Sequence, residues 1–90
     1  MKKIVWSEHA SKDIRRLDRE VARRVFAALD RLTNSGLGDL KRLRGQSEEL
    51  RLRVGDWRIR LTEEPGGVLR IHSVRHRSEA YRSAIAAKSV

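Results

Sequence analysis

Along this chain the spacing of hydrophobic positions changes period, and each change marks an element boundary. Lys2 to Trp6 carries the β-branched and aromatic residues of a short strand. From Ala10 the apolar positions recur at i, i+4 and i+7 (Ala10, Ile14, Leu17), one stripe of an α-helix that Ser7 can cap. Asp18 can cap a second helix. Its stripe is Val21, Val25, Ala28, Leu29 and Leu32, with Arg23, Arg24 and Arg31 largely off it. Asn34-Ser35-Gly36 ends it, the glycine supplying a left-handed cap. Two amphipathic helices so closely joined predict a helical hairpin.

Residues 37–49 show no period and read as irregular and basic, with Lys41, Arg42 and Arg44. The period then becomes two. Leu50-Arg51-Leu52-Arg53-Val54 and Trp57-Arg58-Ile59-Arg60-Leu61 alternate on either side of Gly55-Asp56, the pattern of a β-hairpin with a two-residue loop. Pro65-Gly66-Gly67 marks another turn, and Val68 to Val74 a third strand. Ser78 onward, with Glu79, Ala80, Ala84, Ile85 and Ala86, predicts a short C-terminal helix that frays over residues 83–90. The whole reads as a single α+β domain over residues 1–90. An N-terminal strand and a helical hairpin pack on a small antiparallel sheet, followed by the C-terminal helix.

The hairpin predicts a particular surface. In the two-residue register Val54 faces Trp57, Leu52 faces Ile59 and Leu50 faces Leu61, which makes one apolar face for the core. The other face sets Arg53 opposite Arg58 and Arg51 opposite Arg60. Like charges directly opposed on neighbouring strands destabilise a sheet by ~0.2–1 kcal/mol per pair. An anion between them removes that penalty, so the face is a candidate anion site. The plain alternative is a solvated strand face whose arginines splay or meet Glu48, Glu49 or Glu63. On the third strand, Leu69 and Ile71 are expected in the core, which would turn Arg70, His72 and Val74 toward the arginines.

Charge sharpens this reading. The 90 residues hold 21 Lys+Arg against 12 Asp+Glu, a net charge of +9, carried mostly by arginine. Such an excess points to nucleic acid, an acidic protein or an anionic surface, and arginine's planar fork favours phosphate. Cysteine is absent, which excludes disulfides, a thiol nucleophile and cysteine-based zinc sites. The three histidines are dispersed and make no metal motif; no cofactor or metal is expected. No apolar run approaches the ~18 residues of a membrane span, so no membrane partner and a cytoplasmic location are expected.

Two segments resemble the RelE/ParE toxin superfamily of type II toxin–antitoxin systems. Leu50-Arg51-Leu52-Arg53-Val54-Gly55-Asp56-Trp57-Arg58-Ile59 is similar to that family's YRLRVGDYRVIY signature. Val74-Arg75-His76-Arg77-Ser78-Glu79-Ala80-Tyr81-Arg82 is similar to its VGHRREVYR ending. The likeness extends to about Tyr81. It implies a cognate antitoxin as partner and, for RelE-like members, cleavage of mRNA in the ribosomal A site; ParE-like members instead poison DNA gyrase. It also implies that Arg51 and Arg53 bind the RNA backbone and that Arg58 contacts the scissile phosphate. Arg75 or Arg77 would be a second catalytic arginine, and Tyr81 would take part in cleavage. His76 matches a histidine common in relatives. Arg75 departs from the pattern, since many relatives carry glycine there. Arg60, Lys41 and Arg44 complete the set of RNA-binding candidates.

Metal-free RNA cleavage needs a base for the 2′-hydroxyl, an acid for the departing 5′-oxygen, and positive charge on the phosphorane-like transition state. Arginines suit the last task and stay protonated, which leaves Tyr81 and His76 to handle protons. Taken alone, a tyrosine near a C-terminus is more often a packing residue, and His72 and His76 are more often surface or capping histidines. His9 receives no role. Trp6 and Trp57 are expected in the core. Three readings follow: a ribosome-dependent mRNA endonuclease, a gyrase inhibitor without chemistry of its own, and a non-catalytic nucleic-acid-binding module.

Overall fold

The computed structural model describes residues 2–36, 38–42 and 49–79, without the side chains of residues 39, 41 and 42. In chain order its elements are β1 (Lys3–Trp6), α1 (Glu8–Arg16), α2 (Arg19–Ser35), β2 (Asp39–Arg42), β3 (Glu49–Val54), β4 (Trp57–Glu64) and β5 (Val68–His76). The two helices begin and end where the local chemistry dictates. Ser7 Oγ accepts from the Ala10 amide at 3.0 Å and Asp18 Oδ2 from the Glu20 amide at 3.1 Å. Gly36 closes α2 at φ 70°, its N–H donating to the Leu32 carbonyl at 3.0 Å. Glu8 and Glu20 in the first turns, and Arg15 and Arg16 in the last turn of α1, complement the helix dipoles.

The sheet runs β1-β5-β4-β3-β2. It differs from the expected antiparallel sheet at both edges. β1 pairs with β5 in parallel, Ile4 opposite Leu69 and Trp6 opposite Ile71. A parallel pair needs a long connection, and the helices with three strands supply one. At the other edge, part of the stretch read as irregular forms β2, whose Leu40 lies opposite Leu52. Four residues with one apolar position are too few to show a period; the ladder offered by β3 makes this strand. Helical backbone begins at Arg77 and continues to Glu79, while the remainder of the expected C-terminal helix lies outside the described residues.

The β3–β4 hairpin pairs as its alternation predicts, Val54 with Trp57, Leu52 with Ile59 and Leu50 with Leu61. Gly55 takes φ 59° while Asp56, like every other non-glycine among the described residues, does not have positive φ, the pattern of a type II′ loop. Leu50, Leu52, Ile59, Leu61, Leu69 and Ile71 form the sheet's half of the core, against Ala10, Val25, Leu29 and Leu32 of the helices. Trp6 and Trp57 pack at its margin, partly buried.

A third departure from the sequence expectation concerns β5. Val74 was expected to face the arginines; it is buried in the core at 3% exposure. The cause is a bulge. Leu61 pairs with Ile71, but Arg60 pairs with Ser73, so His72 is the extra residue on β5. A one-residue shift turns every following side chain to the other face. Val74 therefore joins Ile59 in the core and Arg75 comes to lie opposite Arg58.

Candidate active site

The bulge completes a row of three arginines across the sheet. Arg53 on β3, Arg58 on β4 and Arg75 on β5 are consecutive cross-strand partners on the face turned away from the helices. Strands lie ~4.8 Å apart, so the row spans ~10 Å between its outer Cα atoms. One pleat further on, Lys41, Arg51, Arg60 and Ser73 form a second row by the same pairing. The repulsion that the sequence implied for two pairs thus extends to a third, Arg58 with Arg75, at ~0.2–1 kcal/mol per pair.

Local partners temper this charge and fix individual side chains. Arg60 Nε lies 2.5 Å from Glu49 Oε1, one of the carboxylates expected to meet this face. Arg58 Nη1 donates to the carbonyls of Gly55 at 3.0 Å and Trp57 at 3.1 Å, which folds its guanidinium toward the hairpin loop. Those contacts use one nitrogen of a group with five N–H donors. Arg75 is held at the opposite flank by α1. Its Nη2 donates to His9 Nε2 at 2.7 Å, and its Nε lies 3.8 Å from Asp13 Oδ2. Farther along the same face Arg70 and Glu64 pair at 2.7 Å. That hydrogen bond from Arg70 is the main reason the Glu64 carboxyl titrates below its ordinary value.

Not every candidate joins the row. His76 is the cross-strand partner of Trp57 and meets its ring edge-on, centroids 5.4 Å apart. Both alternate with the row, so His76 lies on the helix side of the sheet. Its Nδ1 is 3.0 Å from Ser78 Oγ. Arg77 is exposed beyond the end of β5, its Nε 3.8 Å from Asp56 Oδ1 and its amide donating to the Asp56 carbonyl at 2.7 Å. Of the two alternatives for a second arginine, Arg75 is the one beside Arg58. Arg44 and Tyr81 lie outside the described residues, and Lys41 is described by its backbone alone. Among the described residues no group of histidine and acidic side chains could hold a metal ion.

Sequence reasoning passed over His9 and Asp13, both of which reach Arg75. Asp13 left a signal: a carboxylate between Ala10 and Ile14, on the margin of the apolar stripe. Its side chain is 12% exposed. A charged group so covered is rare without a partner.

An arrangement of this kind concentrates positive charge on one face of the sheet, where phosphate oxygens can be held and negative charge that develops on them stabilised. If RNA binds across both rows, each phosphate contact contributes about −0.7 to the slope of the log association constant against log salt for a single strand. Replacing Arg51 by alanine is therefore expected to flatten that slope by about 0.7 while leaving the fold intact. Titrating a fluorescent single-stranded RNA at several salt concentrations checks this.

Comparison with known proteins agrees with the fold. The sequence profile of the ParE toxin of the parDE type II toxin–antitoxin system matches residues 4–81. Among solved structures, the isolated RelE toxin of E. coli superposes with TM-score 0.74 at 22% identity, covering 97% of this chain and 98% of that one. RelE in the RelB–RelE antitoxin–toxin complex of Methanococcus jannaschii gives TM-score 0.72 at 22% identity, with 86% and 94% covered. The RelBE2 toxin–antitoxin complex of Mycobacterium tuberculosis gives 0.72 at 20% identity, with 83% and 96% covered. No curated protein gives a significant match. With the profile spanning residues 4–81 and the RelE fold shared throughout, the chain belongs to the ParE toxin family of type II toxin–antitoxin systems.

Proposed function

We propose that the toxin is a metal-independent endoribonuclease that cuts mRNA in the ribosomal A site and so stops translation. The observation that carries this reading is the row Arg53–Arg58–Arg75, three arginines paired residue to residue across adjacent strands. In the reaction, the 2′-oxygen forms a bond to the neighbouring phosphorus as the P–O5′ bond breaks. The products are a 2′,3′-cyclic phosphate and a 5′-hydroxyl end. The 2′-hydroxyl proton passes to a base, and a proton is delivered to the departing 5′-oxygen. Arg58, at the middle of the row, neutralises the charge that grows on the non-bridging oxygens, with Arg75 beside it and Arg53, Arg51, Arg60, Lys41 and Arg44 holding the flanking backbone. Tyr81 is assigned the proton transfer on the strength of its motif. The ribosome, by aligning the message, supplies much of the remaining rate.

The geometry bears on His76 as well. Its position against Trp57 suits packing of the hairpin end better than proton transfer on the arginine face. The experiment for this reading is in vitro. Purified toxin is added to ribosomes programmed with a defined message and, separately, to the same RNA alone. Cleavage confined to the programmed ribosomes, with a cyclic phosphate at the new 3′ end and no loss of activity in a chelator, is the expected result. Failure to cut either substrate would dismiss the nuclease reading.

A cognate antitoxin is the second partner we propose, and the similar structures solved as antitoxin–toxin complexes support it. The chain offers a suitable surface: a groove of about 370 Å³ between α2 and β3. Ala27, Ala28, Leu52 and Val54 make an apolar floor, and Arg24 and Arg31 of α2 a basic rim. That suits an acidic, amphipathic segment. Reversing Arg24 and Arg31 to glutamate is expected to weaken antitoxin binding at least tenfold, mainly through association rate, which calorimetry and stopped-flow mixing would measure. No helix among the described residues is long and apolar enough to cross a membrane, and action on ribosomes fits a cytoplasmic site.

A second reading is favoured by the family profile itself, whose description is that of the ParE toxin. In that case the arginine face would bind DNA gyrase without chemistry.

A further inference from the structure

β1 ends at Trp6, but β5 runs on to His76, so among the described residues no strand pairs with this edge of β5 beyond Ile71. The backbone groups there are met instead by the start of α1. The Ser7 amide donates to the Ile71 carbonyl at 3.0 Å and Ser7 Oγ to the His72 carbonyl at 3.3 Å. Two turns on, Asp13 Oδ2 accepts from the Val74 amide at 2.9 Å. This last contact sits immediately after the bulge and immediately before Arg75. The same carboxylate oxygen lies 3.8 Å from Arg75 Nε and 3.6 Å from His9 Nε2. His9 Nε2 in turn accepts from Arg75 Nη2 at 2.7 Å; an arginine can only donate, so this nitrogen carries the lone pair.

From this geometry we infer that Asp13 is a positioning residue for Arg75, fixing its backbone through Val74 and its guanidinium by charge. The inference rests on the nuclease reading for its catalytic consequence, though not for the hold itself. Two features give Asp13 this task rather than a general structural one. The row repels itself, so its outermost member on β5 needs a fixed counter-charge to keep one place. And the residue that Asp13 binds is the one whose facing was reversed by the bulge. Glu79, 3.9 Å from Arg75 Nη1, is half-exposed and on a helical turn that begins at Arg77; it adds charge but does not touch the strand. The side chain of Asp13 touches both.

The two functions of the carboxylate separate by substitution. Asp13→Asn keeps an oxygen to accept from Val74 but loses the charge facing Arg75; Asp13→Ala loses both; Asp13→Glu keeps the charge. The probes are kcat and KM on ribosomes programmed with message, the thermal midpoint, and the Nε–H resonance of Arg75 in ¹⁵N-labelled protein. Asp13→Asn is expected to lower kcat about tenfold with KM changed less than threefold and the thermal midpoint within a few degrees, in line with loss of one charge-assisted contact. Its Arg75 Nε–H should collapse into the averaged signal of mobile arginines, whereas in the parent protein it is expected to be resolved and slow to exchange. Asp13→Glu should recover most of kcat, and Asp13→Ala should lose both activity and stability. An Asp13→Asn protein with parental kcat and an unchanged Arg75 resonance overturns the inference. So does a kcat that falls only as far as the protein unfolds. If the parent cuts no RNA, the nuclease reading fails on its own, and the Arg75 resonance still decides whether Asp13 holds that side chain.

Discussion

Replacing Arg58 by alanine is expected to lower the single-turnover rate of message cleavage by about 10²–10³-fold, the loss typical of one preorganised donor at a developing oxyanion. Arg58 is the member of the row with an arginine on each neighbouring strand. Its guanidinium is steadied by the Gly55 and Trp57 carbonyls, so little reorganisation is needed when charge develops. The fold should not suffer. Removing Arg58 relieves repulsion with Arg53 and Arg75, so the thermal midpoint is expected to stay level or rise. A variant that is as stable as the parent, still captures antitoxin, and no longer cleaves would show that the charge serves the reaction rather than the fold. Arg58→Lys should recover only part of the rate, since an ammonium keeps the charge but not the planar fork.

The largest effect on stability is expected at Ile59. This side chain is fully buried on the central strand, between Leu52 on β3 and Val74 on β5. Truncation to alanine leaves a cavity that neighbouring strands cannot collapse to fill, at ~2–5 kcal/mol. Domains of this size have total stabilities of ~5–15 kcal/mol, with values near the lower end for short chains. The midpoint should therefore fall by at least ~10 °C, at ~4–8 °C per kcal/mol. Calorimetry on Ile59→Ala beside Arg58→Ala sets the two faces of one strand against each other. Adjacent residues should have opposite signatures, one unfolding the protein and the other silencing it.

That contrast also shows which parts of the molecule were legible in the residues. A strict alternation over Leu50–Leu61 fixes both register and facing, because a one-residue slip would bury Arg51, Arg53, Arg58 and Arg60 and expose the leucines. The helices were legible for a similar reason: stripe, cap and stop agree at Ser7, Asp18 and Gly36. β2 was not, because it is made by the partner it pairs with rather than by its own pattern. The bulge in β5 was missed although the residues hinted at it: two polar positions, His72 and Ser73, stand together between Ile71 and Val74, so the alternation restarts out of phase. Honouring that break would have put Val74 in the core and Arg75 in the row. Asp13 was hidden differently. Its role depends on α1 lying along a strand some sixty residues away in sequence, which no local period reports.

The row of arginines also explains why a toxin of this family can tolerate a self-repelling sheet. The core beneath it is continuous and apolar, and the penalty of ~0.2–1 kcal/mol per like-charged pair is small beside it. An anion removes the penalty on binding, so affinity for phosphate and relief of strain are the same event. Antitoxin carboxylates could relieve it equally, which would couple neutralisation of the toxin to its stability.

The most direct measurement is mRNA integrity after a brief induced pulse of the toxin in bacteria, mapped by primer extension, with plasmid supercoiling assayed in the same cells. The account predicts discrete cuts in phase with codons on translated messages, absent from untranslated RNA and from cells making Arg58→Ala, with supercoiling unchanged. Intact messages accompanied by altered supercoiling would contradict it and leave the arginine face as a surface for gyrase.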